Sequence, residues 1–183
     1  GELMEEGEAT VKLKVGVMIE VLSAVFLTKA LAARVDYLSV GTNDLAQYIL
    51  AADRTNARVT TPNDTLHPAV LNAIDMIIRD SHAQSTPVSV CGEMAGDPAG
   101  ALVLLGMGVD ALSMSPASFG RVKLVIRTFT LEEARALADP ALGKEDEGQV
   151  RSLLNDAIKG AGILKHSSRV EDRTGSDVGA FAE

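Results

Sequence analysis

Four times along this sequence a short apolar run ends in a glycine or a polar residue and gives way to a helical pattern, and that recurrence restricts the fold most. The runs are residues 15–19, 37–40, 88–90 and 111–114, followed by Glu20, Gly41, Cys91-Gly92-Glu93 and Ser115-Pro116. Runs this short and apolar suit strands buried in a parallel sheet, which needs a crossover after each strand. The helical patterns supply the crossovers. Ser23 is the candidate N-cap of a helix carrying Val25, Phe26, Leu27 and Leu31, while Leu45, Tyr48, Ile49 and Ala52 share a face of the next. His67-Pro68 opens a third, with Val70, Leu71, Ile74, Ile77 and Ile78 as its buried stripe. Asp97-Pro98 caps a fourth that closes at Gly106-Met107-Gly108, and Ser115-Pro116 leads into a fifth through Val122, Val125 and Ile126. The predicted class is therefore parallel α/β. A closed eight-stranded β/α barrel takes about 250 residues, so four units do not argue for a complete one.

The flanks are different in kind. Residues 1–14 run from acidic to basic and read as the end of a preceding helix, and residues 55–66 are a loop rich in Thr, Asn, Asp and Pro. Thr130-Leu131-Glu132-Glu133 has the form of a capping box, and 148–159 reads as a helix with Val150, Leu153, Leu154 and Ile158 on one side. These are expected to be extra terminal helices packed outside the β/α units. Residues 166–183 lack any period and are expected to be disordered, so the folded domain is expected to span 1–165. The chain opens on Gly1, which suggests a piece of something longer.

With 46% apolar and 23% charged residues the composition is that of a soluble globular protein. A formal charge of −8 argues against a nucleic-acid partner, and no apolar run is long enough to span a membrane. One cysteine cannot form an internal disulfide, so nothing marks an oxidising compartment and the cytoplasm is expected.

The residues at the strand ends carry whatever chemistry the fold supports, because parallel β/α folds build their sites at that end. Asn43 and Asp44 stand at a strand-to-helix junction, where helix capping is the ordinary role for such side chains. Glu20 and Asp44 end adjacent strands. Two convergent carboxylates suit a magnesium ion that keeps several waters, although an acid at a helix entrance is also commonly just solvated. A lone Cys91 at a strand end is most often a small buried hydrophobe, and Arg54 an ion-pair partner for a neighbour such as Asp53.

The literal strings say more. Gly41-Thr42-Asn43-Asp44-Leu45 with Gln47-Tyr48 and Asp53-Arg54 resembles the phosphoenolpyruvate-binding barrel of enzyme I of the bacterial phosphotransferase system. Gly16-Val17-Met18-Ile19-Glu20-Val21, Val90-Cys91-Gly92-Glu93-Met94-Ala95-Gly96-Asp97 and Leu112-Ser113-Met114-Ser115 resemble the same barrel in the same order. The resemblance implies the last four units of a phosphoenolpyruvate/pyruvate-type TIM barrel. It implies Glu20 and Asp44 as magnesium ligands, with Asn43, Asp44 and Arg54 gripping the substrate. It also implies Cys91 as the general acid that protonates the methylene carbon of enolpyruvate, a role suited to a thiol, which is mostly protonated near neutral pH. A phosphoryl group would pass to a histidine in a separate N-terminal domain and on to a phosphocarrier protein, in a homodimeric enzyme. His67, His82 and His166 match no catalytic position of that family.

Leu22, Ala46 and Thr61-Pro62-Asn63 depart from the family's usual proline, threonine and Leu-Tyr, without removing a proposed ligand. Two arginines that grip the substrate come from earlier strands of the barrel, so the fragment alone is expected to be inactive. The strings at Gly92 to Pro98 and Ser113 to Ser118 look more like the nitrogen-related branch than the sugar-transport one. Two alternatives stand beside this reading: a pyruvate-phosphate dikinase or phosphoenolpyruvate synthase, and a non-catalytic module for dimerisation or sensing.

Overall fold

Alternation of side chains across each strand decides where the core lies. In the computed structural model, which describes residues 13–51 and 64–163, the strands are β1 (Gly16–Ile19), β2 (Tyr37–Gly41), β3 (Val88–Cys91) and β4 (Ala111–Ser113). They form one parallel sheet in the order β1-β2-β3-β4, the order expected of consecutive β/α units. The register sets Ile19, Val40, Val90 and Leu112 in one row, and Val17, Leu38 and Val88 in another. Ile19, Leu38, Val40, Val88 and Val90 are buried in the core, with Val17 and Leu112 packed against it. The other face carries Met18, Ser39, Ser89 and Ala111 in register, then Gly41, Cys91 and Ser113. Met18 on that face is 49% exposed. A sheet with one face under helices and a small, polar opposite face is what half of a barrel would present, its second face being the lumen wall.

The helices among the described residues are α1 (Leu22–Phe26), α2 (Thr28–Ala32), α3 (Thr42–Leu50), α4 (Pro68–His82), α5 (Glu93–Gly96), α6 (Pro98–Met107), α7 (Pro116–Thr128), α8 (Leu131–Leu142) and α9 (Glu147–Gly160). The stripe predicted for α4 is buried throughout, and His67 caps that helix by accepting the Ala69 N–H on Nδ1 at 3.1 Å. The capping box at Thr130 and Glu133 forms as predicted and starts α8. Gly108, in the left-handed region at φ 89°, ends α6.

Other expectations fail for physical reasons. Ser23 caps nothing, since α1 starts after Val21 with no side-chain cap, and a single helix to Leu31 is interrupted at Leu27. There the Thr28 hydroxyl donates to the Val25 carbonyl at 2.8 Å, a side-chain bond that competes with the helix's own ladder. Phe26 is 70% exposed and Tyr48 61%, so neither joins the core as the apolar period implied. The predicted loop before α4 ends in a short 3-10 turn, Asp64–Leu66, whose Leu66 is fully buried. The predicted tail, 166–183, lies outside the described residues.

The predicted terminal helices do pack on the β/α units. α8 lies so close against α6 that a Cβ on Gly106 would strike the Ala134 carbonyl and the Ala138 methyl. Ala99, Gly100, Ala101, Leu102, Val103, Leu104 and Gly106 are all buried, leaving α6 without a solvent face over most of its length. No described helix is long and apolar enough to cross a membrane.

Candidate active site

The carboxyl end of the sheet is where strand geometry and helix starts converge. Cys91, Gly92 and Glu93 after β3 and Ser113, Met114 and Ser115 after β4 line a cavity of about 630 Å³, with Asn43 on its wall. Asp97, Ser118, Arg121 and Arg151 complete much of the rest.

Asn43 and Asp44 do not cap α3. Gly41 is the N-cap residue and offers no side chain, so Asn43 and Asp44 fall within the helix's first turn. The carboxamide of Asn43 reaches across to the neighbouring junction, where its Oδ1 accepts the Glu93 N–H at 3.1 Å. With Oδ1 committed as the acceptor, the NH2 end of the amide is the one left as a donor. Thr42 is likewise turned away from its own helix, and its buried hydroxyl donates to the Cys91 carbonyl at 2.9 Å. Together these bonds fasten the β2 junction to the β3 junction.

Gly92 makes that closeness possible. At φ 102° and ψ −170° its backbone is one that residues with a Cβ essentially avoid. A Cβ there would stand 2.5 Å from Thr42 Oγ1 and 2.9 Å from Asn43 Oδ1. Only glycine lets the two strand ends meet. Gly41 serves Glu20 in a similar way, because a Cβ on it would lie 3.2 Å from Glu20 Oε2. The Glu20 carboxylate thus lies over the β2–α3 junction, beside the first turn that contains Asp44.

Cys91 is half-buried on the sheet face that also carries Gly41 and Ser113, and it lines the cavity. Its Sγ donates to the Val40 carbonyl at 3.3 Å, and the Ser39 hydroxyl approaches it at 3.9 Å. The thiol therefore donates to one backbone carbonyl and faces one hydroxyl at the cavity wall, rather than being packed among apolar side chains alone.

The structure therefore brings Asn43 and Cys91 to one cavity and Glu20 to the junction that carries Asp44, whereas Arg54 lies outside the described residues. Sequence reading gave Asp97 only as a helix cap and did not bring it, the Glu93 N–H, Thr42 or Arg151 to the site. Thr42 and Glu93 were within the recognised strings, but their bonds cross 49 and 50 positions of sequence and leave no local pattern.

Among the described residues no three His, Cys, Asp or Glu side chains gather into a metal cage. A magnesium ion does not require one: two carboxylates, waters and substrate oxygens make up its usual shell in phosphoryl-transfer sites. Glu20 over Gly41 and Asp44 in the first turn of α3 are hard oxygen donors of the type that ion takes.

Comparison with known proteins follows the same residues. The family model described as "PEP-utilising enzyme, PEP-binding domain" matches residues 1–131, well over half of the chain. A Salmonella typhimurium protein named "Phosphoenolpyruvate-dependent phosphotransferase system" is 45% identical over 153 residues, 82% of this chain and 20% of its own length. A "Phosphoenolpyruvate-protein phosphotransferase" from Haemophilus influenzae is 44% identical over 158 residues, 86% of this chain and 28% of its own. Another of that name from Cupriavidus necator is 46% identical over 159 residues, 86% of this chain and 27% of its own. The chain thus spans between about a fifth and just over a quarter of the length of these relatives. With the family match running through all four strands and every junction described above, the chain belongs to the PEP-utilising enzymes and carries part of their PEP-binding domain.

Proposed function

We propose that this chain binds phosphoenolpyruvate at its strand ends and, within a longer cytoplasmic enzyme, donates the phosphoryl group to a histidine outside these residues and onward to a phosphocarrier protein. On this reading residues 1–165 are the C-terminal part of a TIM-barrel domain, and the whole enzyme is a homodimer. The observation that carries the proposal is that Asn43, its Oδ1 taken up by the Glu93 N–H, lines the same cavity as Cys91.

Phosphoryl transfer leaves little covalent work to the protein, and positioning and charge stabilisation dominate. Asn43 would donate to a phosphoryl oxygen, and Arg54 would fork onto the same group. Glu20 and Asp44 would hold magnesium. When bound, that ion neutralises charge on the phosphoryl oxygens. As the P–O bond breaks and a P–N bond to the histidine forms, the electron pair stays on the enolate. The Cys91 thiol then gives its proton to the methylene carbon, pyruvate is released, and solvent reprotonates the sulfur. A thiol is a weak donor, so its bond to the Val40 carbonyl at 3.3 Å is one that a substrate could displace at small cost.

The test uses labelled phosphoenolpyruvate, magnesium and a phosphocarrier, with the complete gene product beside this 183-residue chain. The complete product is expected to pass label to the carrier and the chain alone to pass none. A complete product that neither binds phosphoenolpyruvate nor transfers label would remove the reading.

A further inference from the structure

One wall of the cavity comes from outside the β/α units altogether. Arg151 lies in the second turn of α9, 54 positions from Asp97, yet its Nη1 donates to Asp97 Oδ2 at 3.0 Å. Glu147 Oε1, one helical turn earlier, is 3.7 Å from Arg151 Nε, too far for a hydrogen bond. That buried Nε has no hydrogen-bond partner, so the guanidinium's directed contact is the one with Asp97.

Asp97 is a joint between three elements. Its backbone N–H closes α5 on the carbonyls of Glu93 at 3.1 Å and Met94 at 3.3 Å. Its side chain caps α6 at the Gly100 N–H at 3.3 Å, through the same oxygen that takes Arg151. α5 is only four residues long and begins with Glu93, whose N–H holds Asn43 Oδ1. A helix of one turn has almost no internal ladder, so what its ends are tied to sets its position. One end is tied to Asn43, and the other, through Asp97, to Arg151.

We infer that Arg151 is a positioning residue for the site: through Asp97 and the α5 turn it fixes the direction in which the Asn43 amide is presented to substrate. The substrate part of this inference rests on the phosphoenolpyruvate reading; the mechanical part does not. α9 lies beyond the residues matched by the family model, so nothing in that match assigns it a part in the site.

The test compares Arg151→Leu and Arg151→Lys with wild type in the complete gene product, by amide hydrogen exchange and by steady-state kinetics. Arg151→Leu removes the bond to Asp97, and Arg151→Lys keeps the charge within reach of it. In Arg151→Leu the Glu93 amide is expected to exchange about tenfold faster while Val90 and Val103 stay as in wild type. The KM for phosphoenolpyruvate is expected to rise about tenfold with kcat falling less, and lysine to restore both readouts in part. A merely structural role would lower the unfolding midpoint and kcat while leaving KM and Glu93 exchange in place, and that outcome overturns the inference. Should Arg151→Leu not fold, Arg151→Lys decides: Glu93 exchange faster than wild type supports the inference, and unchanged exchange overturns it. A wild-type protein that binds no phosphoenolpyruvate would remove the functional reading, and Glu93 exchange would still decide the role of Arg151.

Discussion

Replacing Gly92 with alanine perturbs the candidate site through its backbone. At φ 102° and ψ −170° an alanine costs about 1–3 kcal/mol in conformational strain alone. Its methyl would also stand 2.9 Å from Asn43 Oδ1 and 2.5 Å from Thr42 Oγ1, so both side chains must move aside. Moving Asn43 breaks its bond with the Glu93 N–H, worth about 0.5–1.5 kcal/mol, for a total of about 2–4 kcal/mol. At about 2 kcal/mol per molar urea this moves the unfolding midpoint down by about 1–2 M. Once Asn43 loses its orientation, a hydrogen bond to a charged phosphoryl oxygen goes with it. That bond is worth about 1.5–3 kcal/mol, or roughly 10- to 150-fold in affinity for phosphoenolpyruvate. Gly108→Ala is the matched control, because Gly108 also has positive φ, at 89°, but nothing lies within 4 Å of where its Cβ would be. It should lose about 1–2 kcal/mol and bind substrate normally. Urea titration and calorimetric binding on the complete gene product give both quantities. Equal midpoints and equal affinities for the two variants would refute the claim that Gly92 holds Asn43 in place.

Cys91→Ala should bind phosphoenolpyruvate and magnesium normally while pyruvate formation falls about 100- to 10,000-fold, with serine a poor substitute; near wild-type turnover would make the cysteine a packing residue. Asp44→Asn should raise the magnesium concentration needed for activity sharply, because it removes one of few protein charges from the ion, and an unchanged magnesium titration would count against the metal role. Burial works against ionisation of Asp110, but the Val88 N–H at 2.7 Å and His82 at 2.8 Å outweigh it and hold its pKa below the usual 3.8. A depressed carboxylate stabilises the fold above its unfolded pKa and loses that contribution as pH falls through the folded one, so the effect fades below about pH 4. Asp110 is 44% exposed, so the contribution is small, and Asp110→Asn should flatten the pH dependence of the urea midpoint only in that acid range.

What was legible in the sequence was legible for local reasons. Each strand is an apolar run bounded by a glycine or a polar residue, and Pro68, Pro98 and Thr130 mark helix starts by chemistry that acts within three residues. The site was half legible, since strand ends can be placed from those same runs. What failed depends on distant partners. The period of Val25, Phe26, Leu27 and Leu31 says that they share surroundings, not that anything covers them, and here Val25 is buried while Phe26 and Leu27 are exposed. Asn43 looks like a cap to any local rule, and only the Glu93 amide, 50 positions away, draws its side chain elsewhere. The bond from Arg151 to Asp97 has no sequence signature of any kind.

The enclosure of α6 bears on where this domain can be cut. The family match stops at residue 131, at the first residue of α8, and a boundary drawn there would look natural on an alignment. It would also strip α8 and α9 from a helix whose backbone at Gly106 touches Ala134 directly. The uncovered flank of alanines and leucines would become a contiguous sticky surface, the kind that drives association. The unit that folds is therefore longer than the unit that matches, and expression boundaries belong after Gly160, where α9 has closed the last side of α6.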